Sequence, residues 1–212
     1  MFKPVDRIKQ LIFIGENEQL DFKQTIADAY KIAKTISAFA NANGGRLLIG
    51  VKDNKSICGI KTDEEKYMID MAATMYCKPA VAIDYIEHEI EKKTILECFV
   101  IKSETKPVFA LDLEKKLTVY CRENDKTHKA GLVTLNILKQ NDFTKSTASR
   151  YSNLESDIIK ILKLKEKVSL GELLEVSSIK KKNLVKCLVN LARLNLVKIN
   201  HHNEIEYFSL LG

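Results

Sequence analysis

Residues 38–51 read AFANANGGRLLIGV, and this stretch decides how the first half of the chain folds. Apolar residues repeat at helical spacing over residues 29–40, so the stretch begins inside an amphipathic helix. Gly44 and Gly45 then end that helix, because glycine adopts the left-handed conformation that closes a helix C-terminus. Residues 46–51 follow as a continuous apolar run, which predicts a buried strand.

Helices and strands mix on both sides of this stretch, which predicts an α+β (mixed α/β) domain over residues 1–143. Helices are predicted at 4–13, at 29–40, across Met68–Met75 behind a capping box of Thr62 and Glu65, and at 130–140. Strands are predicted at 18–25, 46–51, 56–60, 81–90, 94–102 and 116–122. The helix at 130–140 is expected to close this domain.

A polar segment at 144–152, rich in Ser and Thr, is predicted to link this domain to a second one at 153–212. Helices are predicted there at 154–164, 169–176 and 179–194, and two strands at 195–210 surround a polar turn. Three helices followed by a β-hairpin is the order of a winged helix-turn-helix domain.

The bulk composition is that of a globular protein, with 45% hydrophobic and 29% charged residues. No apolar run is long enough to span a bilayer, and the first residues do not follow the pattern of a signal peptide. We therefore expect a cytoplasmic protein with no membrane partner.

The cysteines are scattered singly and form no CxxC pair, which is typical of neither a disulfide framework nor a zinc site. They are Cys58, Cys77, Cys98, Cys121 and Cys187. We expect reduced thiols that are mostly buried as small apolar side chains.

Positive charge is concentrated in the last third of the chain. The net charge is +6, and residues 147–212 contribute +4 of it, with 11 Lys and Arg against 7 Asp and Glu. Such an excess is compatible with nucleic-acid binding but is shared by many proteins without that role.

The helix predicted at 179–194 carries a basic face made of Lys182, Lys186, Asn190 and Arg193. These residues are three or four positions apart, so they share one side of a helix. The opposite side consists of Leu184, Leu188 and Leu191 and is expected to enter the core. Lys180 and Lys181 add charge in the first turn, where the positive end of the helix dipole disfavours it.

In a helix-turn-helix domain this second helix of the motif enters the major groove of DNA. The lysines would contact phosphates, and Asn190 could pair with adenine. His201 and His202 fall in the predicted wing tip, where we expect them to face solvent with a backbone contact to DNA left open. The alternatives are a solvated basic face and a contact with another protein, since Val185 and Val189 lie near the basic face.

The segment GENEQLDFK (15–23) together with residues 38–51 resembles the AlbA-like domain of Schlafen proteins and of many bacterial proteins classed as transcriptional regulators. The resemblance covers about residues 12–143 and continues in KPVFA (106–110) and VYCREND (119–125). It implies an AlbA-like fold for the N-terminal domain. The glycines of residues 38–51 are not an ATP-binding loop, because they do not open a helix and Val51 stands where that motif requires Lys.

In the Schlafen branch, three carboxylates of this domain form a metal-dependent RNA-cleaving site, and the resemblance places them at Glu16, Asp21 and Asp53. Such oxygen ligands could hold Mg²⁺ or Mn²⁺ and activate water. The cluster can converge only if Glu16 lies in a bend at Gly15, because residues five apart on a straight strand face opposite ways. The alternative is that these are surface carboxylates and that Asp53 belongs to an ordinary turn.

The sequence therefore predicts a DNA-binding protein, with transcription regulation as its role, the winged helix as the main reader and no cofactor. RNA remains an open alternative to DNA. A two-fold homodimer is expected because helix-turn-helix proteins commonly bind paired half-sites. Two other functions remain: a metal-dependent nuclease that uses the three carboxylates, and a protein-interaction scaffold.

Overall fold

The computed structural model describes residues 4–60, 63–139 and 153–211, and the chain divides into two compact units, Met1–Lys129 and Ala130–Gly212. The helices of the first unit are α1 (Pro4–Ile14), α2 (Ala29–Asn41) and α3 (Glu64–Met71), which a π-helical turn at Ala72–Tyr76 continues. Its strands are β1 (Leu20–Lys23), β2 (Gly45–Ile49), β3 (Cys77–Lys78), β4 (Ile83–Ile90), β5 (Lys93–Val100), β6 (Phe109–Leu111), β7 (Leu117–Glu123) and β8 (Lys126–Lys129).

The first unit contains two four-stranded sheets. One has the order β1-β2-β5-β4, in which only the β1–β2 pair is parallel, and the other is antiparallel with the order β3-β6-β7-β8. Successive residues of β2 face opposite sides of the first sheet. Leu47 and Ile49 join the core around α2, while Leu48 joins the cluster that α1 covers. Burial on both faces explains the unbroken apolar run in the sequence.

Helix α2 connects the two sheets. Its core cluster includes residues of both sheets, among them Cys98 of β5 and Ala110 of β6. Asn41 at the end of the helix donates from Nδ2 to the carbonyls of Val108 (2.8 Å) and Tyr120 (2.9 Å), and its Oδ1 accepts from the Val108 amide. A buried amide with all these bonds holds the helix end against the second sheet.

The glycines of residues 38–51 are required for different reasons, and Gly44, but not Gly45, has the left-handed backbone that the sequence predicts. Gly44 has φ +76°, and at Gly45 an added Cβ would overlap the ring of Phe39. Gly50 has φ +95°, and a Cβ there would lie 2.9 Å from the backbone of Gly59. The backbone of Gly59 therefore approaches Gly50 too closely for any side chain.

The second unit contains the helices α4 (Leu132–Lys139), α5 (Asn153–Leu164), α6 (Leu170–Val176) and α7 (Lys181–Arg193) and the strands β9 (Val168–Ser169), β10 (Val197–His202) and β11 (Ile205–Leu210). The strands form one antiparallel sheet with the order β10-β11-β9. Leu184, Leu188 and Leu191 of α7 are completely buried, as the helical spacing predicts.

Helix α4 packs in the second unit and does not close the first one. Val133 of α4 is completely buried in the same apolar cluster as Leu184 and Phe208. The boundary therefore falls after Lys129, earlier than the predicted end of the first domain at residue 143. The predicted linker at 144–152 lies outside the described residues.

Most predicted elements are present, and the differences concern short segments. Residues 56–60 form isolated bridges at Ile57 and Ile60 where a strand is predicted. Thr62, half of the predicted capping box, lies outside the described residues, and α3 begins after Asp63. The short strands β3, β6, β8 and β9 are not predicted, because two to four residues are too few to show an alternating pattern.

Within the described residues, no helix is both long and apolar enough to cross a membrane.

Candidate functional site

Glu16, the first of the three predicted carboxylates, is bound to the outer edge of β1. Gly15 has φ +90° and turns the chain after α1, and Asn17 pairs with Leu20 to close the following turn. The Oε1 atom of Glu16 then accepts a hydrogen bond of 2.8 Å from the Phe22 amide. The bend at Gly15 that a converging cluster would require is present, and within it the carboxylate satisfies a backbone donor at the edge of the sheet.

Asp21, the second carboxylate, lies between two cations. Its Oδ1 accepts a hydrogen bond of 2.9 Å from Nη2 of Arg122, and its Oδ2 contacts the ammonium of Lys23. Only 6% of the Asp21 side chain and 2% of the Arg122 side chain are exposed. A buried carboxylate requires such partners, because a buried charge without compensation is costly.

Arg122 connects the second sheet to the start of β1, and the sequence alone did not single it out. Its Nη2 also donates to the carbonyls of Asn17 (3.1 Å) and Leu20 (3.3 Å), and its Nη1 donates to Thr127. The guanidinium lies 4.8 Å from the centre of the Phe39 ring. The only signal in the sequence was its position in the motif VYCREND, because its partners at the start of β1 are about a hundred residues away.

Asp53, the third carboxylate, is exposed in a turn at residues 52–55. The turn is closed by the Lys55 amide, which donates to the Lys52 carbonyl at 2.8 Å. Asn54 accepts from both the amide and the hydroxyl of Ser56. Asp53 therefore occupies an ordinary turn with lysines on both sides.

The arrangement does not fit a site for Mg²⁺ or Mn²⁺. Among the residues that the structure describes, no group of three or more His, Cys, Asp or Glu side chains could hold a metal ion. Glu16 is bound to a backbone amide, and the charge of Asp21 is compensated by Arg122 and Lys23. The metal-dependent nuclease remains an untested prediction from the resemblance.

The start of α7 forms the second candidate site. Lys180 is the N-cap residue, and its side chain makes no capping hydrogen bond. Exposed polar side chains crowd the first turns: Lys180, Lys181, Lys182, Asn183 and Lys186. The opposite face is buried in the core of the unit. A helix N-terminus with cationic side chains offers both backbone donors and positive charge to an anion such as a phosphate.

The last two residues of the predicted basic face contact neighbouring helices. Asn190 is partly buried, and its Nδ2 donates to Oε1 of Glu155 on α5 at 3.3 Å. Arg193 donates from Nη2 to the carbonyl of Ile137 on α4 at 3.2 Å. Both side chains are partly buried against these helices, and the basic side chains of α7 that are exposed lie in its first half.

The sequence predicts that His201 faces solvent, and this prediction is wrong. Its side chain is only 6% exposed, and its Nε2 lies 3.9 Å from Oε1 of Glu206. The Glu206 carboxylate accepts from the amides of Val133 (3.1 Å) and Thr134 (3.0 Å) and thereby caps α4. His202 is exposed, as expected.

Cys77, Cys98 and Cys187 are buried, and Cys58 and Cys121 are partly exposed; all five are free thiols. Burial raises the pKa of the Cys77 thiol to about 12 and also raises the pKa values of Cys98 and Cys187. Neutral, buried thiols of this kind behave as small apolar side chains.

The family model described as Schlafen, AlbA_2 matches residues 16–131, which is more than half of the chain. No curated protein matches the chain. The DIP2311 protein from Corynebacterium diphtheriae is similar in structure, with 14% identity and a TM-score of 0.48 over 87% of this chain, and the chain spans 36% of its length. The N-terminal domain of a Nitrosomonas europaea protein, named as related to the ATP-dependent DNA helicase RecG, has 19% identity and a TM-score of 0.44 over 62% of this chain and 95% of that domain.

Proposed function

The chain belongs to the Schlafen AlbA_2 family, and from this premise we propose that it is a nucleic-acid-binding protein whose second unit binds duplex DNA. The observation that carries the proposal is the start of α7, where exposed lysines surround a helix end whose N-cap residue, Lys180, makes no side-chain capping hydrogen bond. Cations at this end cost stability, roughly 0.3–1 kcal/mol each. An anionic ligand would remove that cost.

The element order of the second unit supports a winged helix. Helices α5, α6 and α7 are followed by the hairpin β10–β11, and β9, between α5 and α6, pairs with β11. In such a domain α7 would be the recognition helix and its N-terminal residues would face the groove. His202, exposed at the end of β10, would lie in the wing.

Transcription regulation by a two-fold homodimer completes the proposal. Helix-turn-helix proteins commonly bind two half-sites through a symmetric dimer. Light scattering of the full chain, alone and with a palindromic duplex, is expected to give the mass of two chains. A single-chain mass in both samples at high concentration would contradict the dimer.

The nuclease and scaffold functions have less support. Two of the three carboxylates that a nuclease would use are engaged by the fold, Glu16 by a backbone amide and Asp21 by Arg122 and Lys23, and the third, Asp53, is exposed in a turn. A scaffold that touches no nucleic acid is expected to present a neutral helix face to its partner, and the exposed face of α7 carries lysines.

The proposal is tested by salt-dependent binding to duplex DNA. Lys182→Ala and Lys186→Ala are each expected to weaken binding to all sequences and to lower the slope of log affinity against log salt by about 1 for each phosphate that is no longer neutralised. Fold stability is expected to change little, because both side chains are exposed.

Lys160→Ala is the matched control, because it removes the same charge from α5, where Asp157 lies 3.0 Å from the ammonium. It is expected to leave the affinity and the salt slope unchanged. Unchanged binding in the Lys182 and Lys186 variants would show that α7 does not contact the DNA.

A further inference from the structure

Helix α2 exposes one small polar and aromatic stripe on the first unit. Ten of its thirteen residues are buried, and the side chains that reach solvent are Tyr30, Lys31 and Lys34. An otherwise buried helix whose exposed part consists of one aromatic ring and two cations has the composition that backbone and base contacts to nucleic acid require.

The ring of Tyr30 is stacked on the ring of Tyr76. The ring centres are 4.2 Å apart and the planes differ by 10°, and both side chains are partly exposed. Tyr76 ends the π-helical turn, whose first residues, Ala72 and Ala73, are buried in the core. The start of the π-helical turn is thus fixed in the core, and its last residue, Tyr76, lies beside α2. Such turns occur frequently at functional sites.

More aromatic and positive side chains surround the stacked pair. The side-chain hydrogen bond between Tyr76 and Tyr30 raises the pKa of the Tyr76 hydroxyl, and Tyr67 of α3, which is 67% exposed, adds to that rise. The ammonium of Lys34 lies 5.6 Å from the centre of the Tyr120 ring. Within the described part of the chain, no carboxylate pairs with Lys31 or Lys34 within 4.0 Å.

The acidic residue that directly precedes α2 caps the helix. Asp28 is the N-cap, and its Oδ1 accepts from the amides of Tyr30 (2.9 Å) and Lys31 (3.1 Å). Its charge is therefore directed at the helix end, and the stripe beyond it keeps the positive charge of the two lysines.

We propose that Tyr30, Tyr76, Lys31 and Lys34, here called the tyrosine platform, bind single-stranded nucleic acid. An unpaired base stacks on the tyrosine rings, and the lysines hold the adjoining phosphates. Paired bases inside a duplex are stacked on one another and do not offer a free face to these rings. The platform is thus a second site, distinct from the duplex contact proposed for α7.

The test measures binding of the full chain to labelled single strands of about ten nucleotides, oligo(dT) and oligo(rU), and to a duplex. Tyr30→Ala and Tyr76→Ala are each expected to weaken single-strand binding roughly tenfold, as the loss of one base–aromatic stack does. Tyr30→Phe and Tyr76→Phe keep the rings and are expected to bind like the parent chain. Duplex binding is expected to stay unchanged in all four variants.

Exposed charge gives a second measurement, which remains decisive if Tyr76→Ala fails to fold. Lys31→Gln and Lys34→Gln are each expected to lower the salt slope for single strands by about 0.7 for each phosphate that is no longer neutralised. Lys116→Gln, which removes an exposed lysine paired with Glu114, is the matched control and is expected to change nothing. Base stacking is also expected to quench tyrosine fluorescence, which can be measured directly because the chain has no Trp.

Folded Tyr30→Ala protein that binds single strands like the parent chain would overturn the proposal, and so would an equal loss of single-strand and duplex binding. The two sites are separable, because Lys182→Ala is expected to weaken duplex binding while the tyrosine platform still binds single strands. Failure of the α7 variants therefore leaves this proposal standing, and the converse also holds.

Discussion

Charged side chains serve opposite purposes around β1 and at the start of α7. Around β1, Glu16 is bound to the Phe22 amide and Asp21 is paired with Arg122 and Lys23. At the start of α7, lysines are exposed around a helix end whose N-cap residue makes no side-chain capping hydrogen bond. The charged groups around β1 are bound to partners within the fold, and the lysines of α7 remain available to a ligand.

A neighbouring helix of the same unit, α6, has the side-chain cap that α7 lacks at its N-cap residue. Helix α6 begins with a complete capping box, in which Ser169 Oγ accepts from the Glu172 amide and the Glu172 carboxylate accepts from the Ser169 amide at 2.7 Å. The backbone and side-chain hydrogen bonds from Ser169 lower the pKa of Glu172. Helix α7, a few residues later, has three lysines in place of such a box. This difference favours a ligand-binding role for the start of α7.

The largest effect is expected from Arg122→Ala, which breaks the buried pair with Asp21. Removing one partner of a buried ion pair typically costs about 3–5 kcal/mol, because the remaining charge is left without compensation. Urea unfolding of the full chain measures this loss. Lys126→Ala, an exposed cation on β8, is the control and is expected to change the free energy of unfolding by less than about 0.5 kcal/mol. Equal effects of the two substitutions would place Arg122 outside the set of charges that the fold uses.

Asp21→Asn and Asp53→Asn are expected to differ. The first weakens a buried, charge-assisted hydrogen bond and is expected to cost about 1–3 kcal/mol, while the second changes an exposed turn residue and is expected to cost almost nothing. Unfolding measurements and an RNA-degradation assay with Mg²⁺ or Mn²⁺ are made on the same preparations. Metal-dependent cleavage that both substitutions abolish, with folding intact, would establish the nuclease and refute the structural role assigned to Asp21.

Local patterns predict the elements of this fold well and their long-range partners poorly. Helical spacing correctly predicts α2 and α7 and the burial of Leu184, and the apolar run predicts β2. The helical spacing of Asn190 places it on the basic face, but only the packing of α5 shows that its amide contacts Glu155. The assignment of α4 to the second unit likewise depends on hydrogen bonds to a residue about seventy positions away.

The candidate sites also divide into features that local patterns predict and features that depend on long-range contacts. The lysines at the start of α7 were predicted because their exposure follows from position on one amphipathic helix. Arg122 was missed, because its pairing with Asp21 joins two sheets and no local pattern records it. Tyr30 and Tyr76 were missed for a similar reason, since their stacking joins α2 to a π-helical turn that a regular helical pattern does not predict.

Glu206→Ala tests a carboxylate of the second unit that, like Glu16, accepts hydrogen bonds from backbone amides. Loss of the cap on α4 is expected to cost about 1–2 kcal/mol and to accelerate hydrogen exchange at the amides of Val133 and Thr134. Gly131→Ala is expected to have the same effect, because its Cβ would overlap the Glu206 carboxyl. At Gly171 a Cβ would meet nothing nearer than Ser169 Oγ at 3.9 Å, so Gly171→Ala is the control. Unchanged exchange in Glu206→Ala would show that α4 does not depend on this cap.

The smallest effect on nucleic-acid affinity is expected from the cysteines. Burial raises the pKa of Cys77 to about 12 from an ordinary value near 9. The folded state therefore retains this proton at a pH where the unfolded state has lost it, so the contribution to stability is present below pH 9 and falls as pH rises toward 12.

At pH 8 the Cys77 thiol is thus neutral and buried, and iodoacetamide is expected to label it far more slowly than the partly exposed Cys58. Replacing all five cysteines by Ala is expected to lower stability because side-chain packing in the core is reduced. Affinity for duplex and for single strands is expected to stay the same once the variant is folded, because none of the lysines or tyrosines proposed to contact nucleic acid is replaced. A folded variant that no longer binds would show that a thiol takes part in binding, and the thiols would then have to be counted with the lysines of α7.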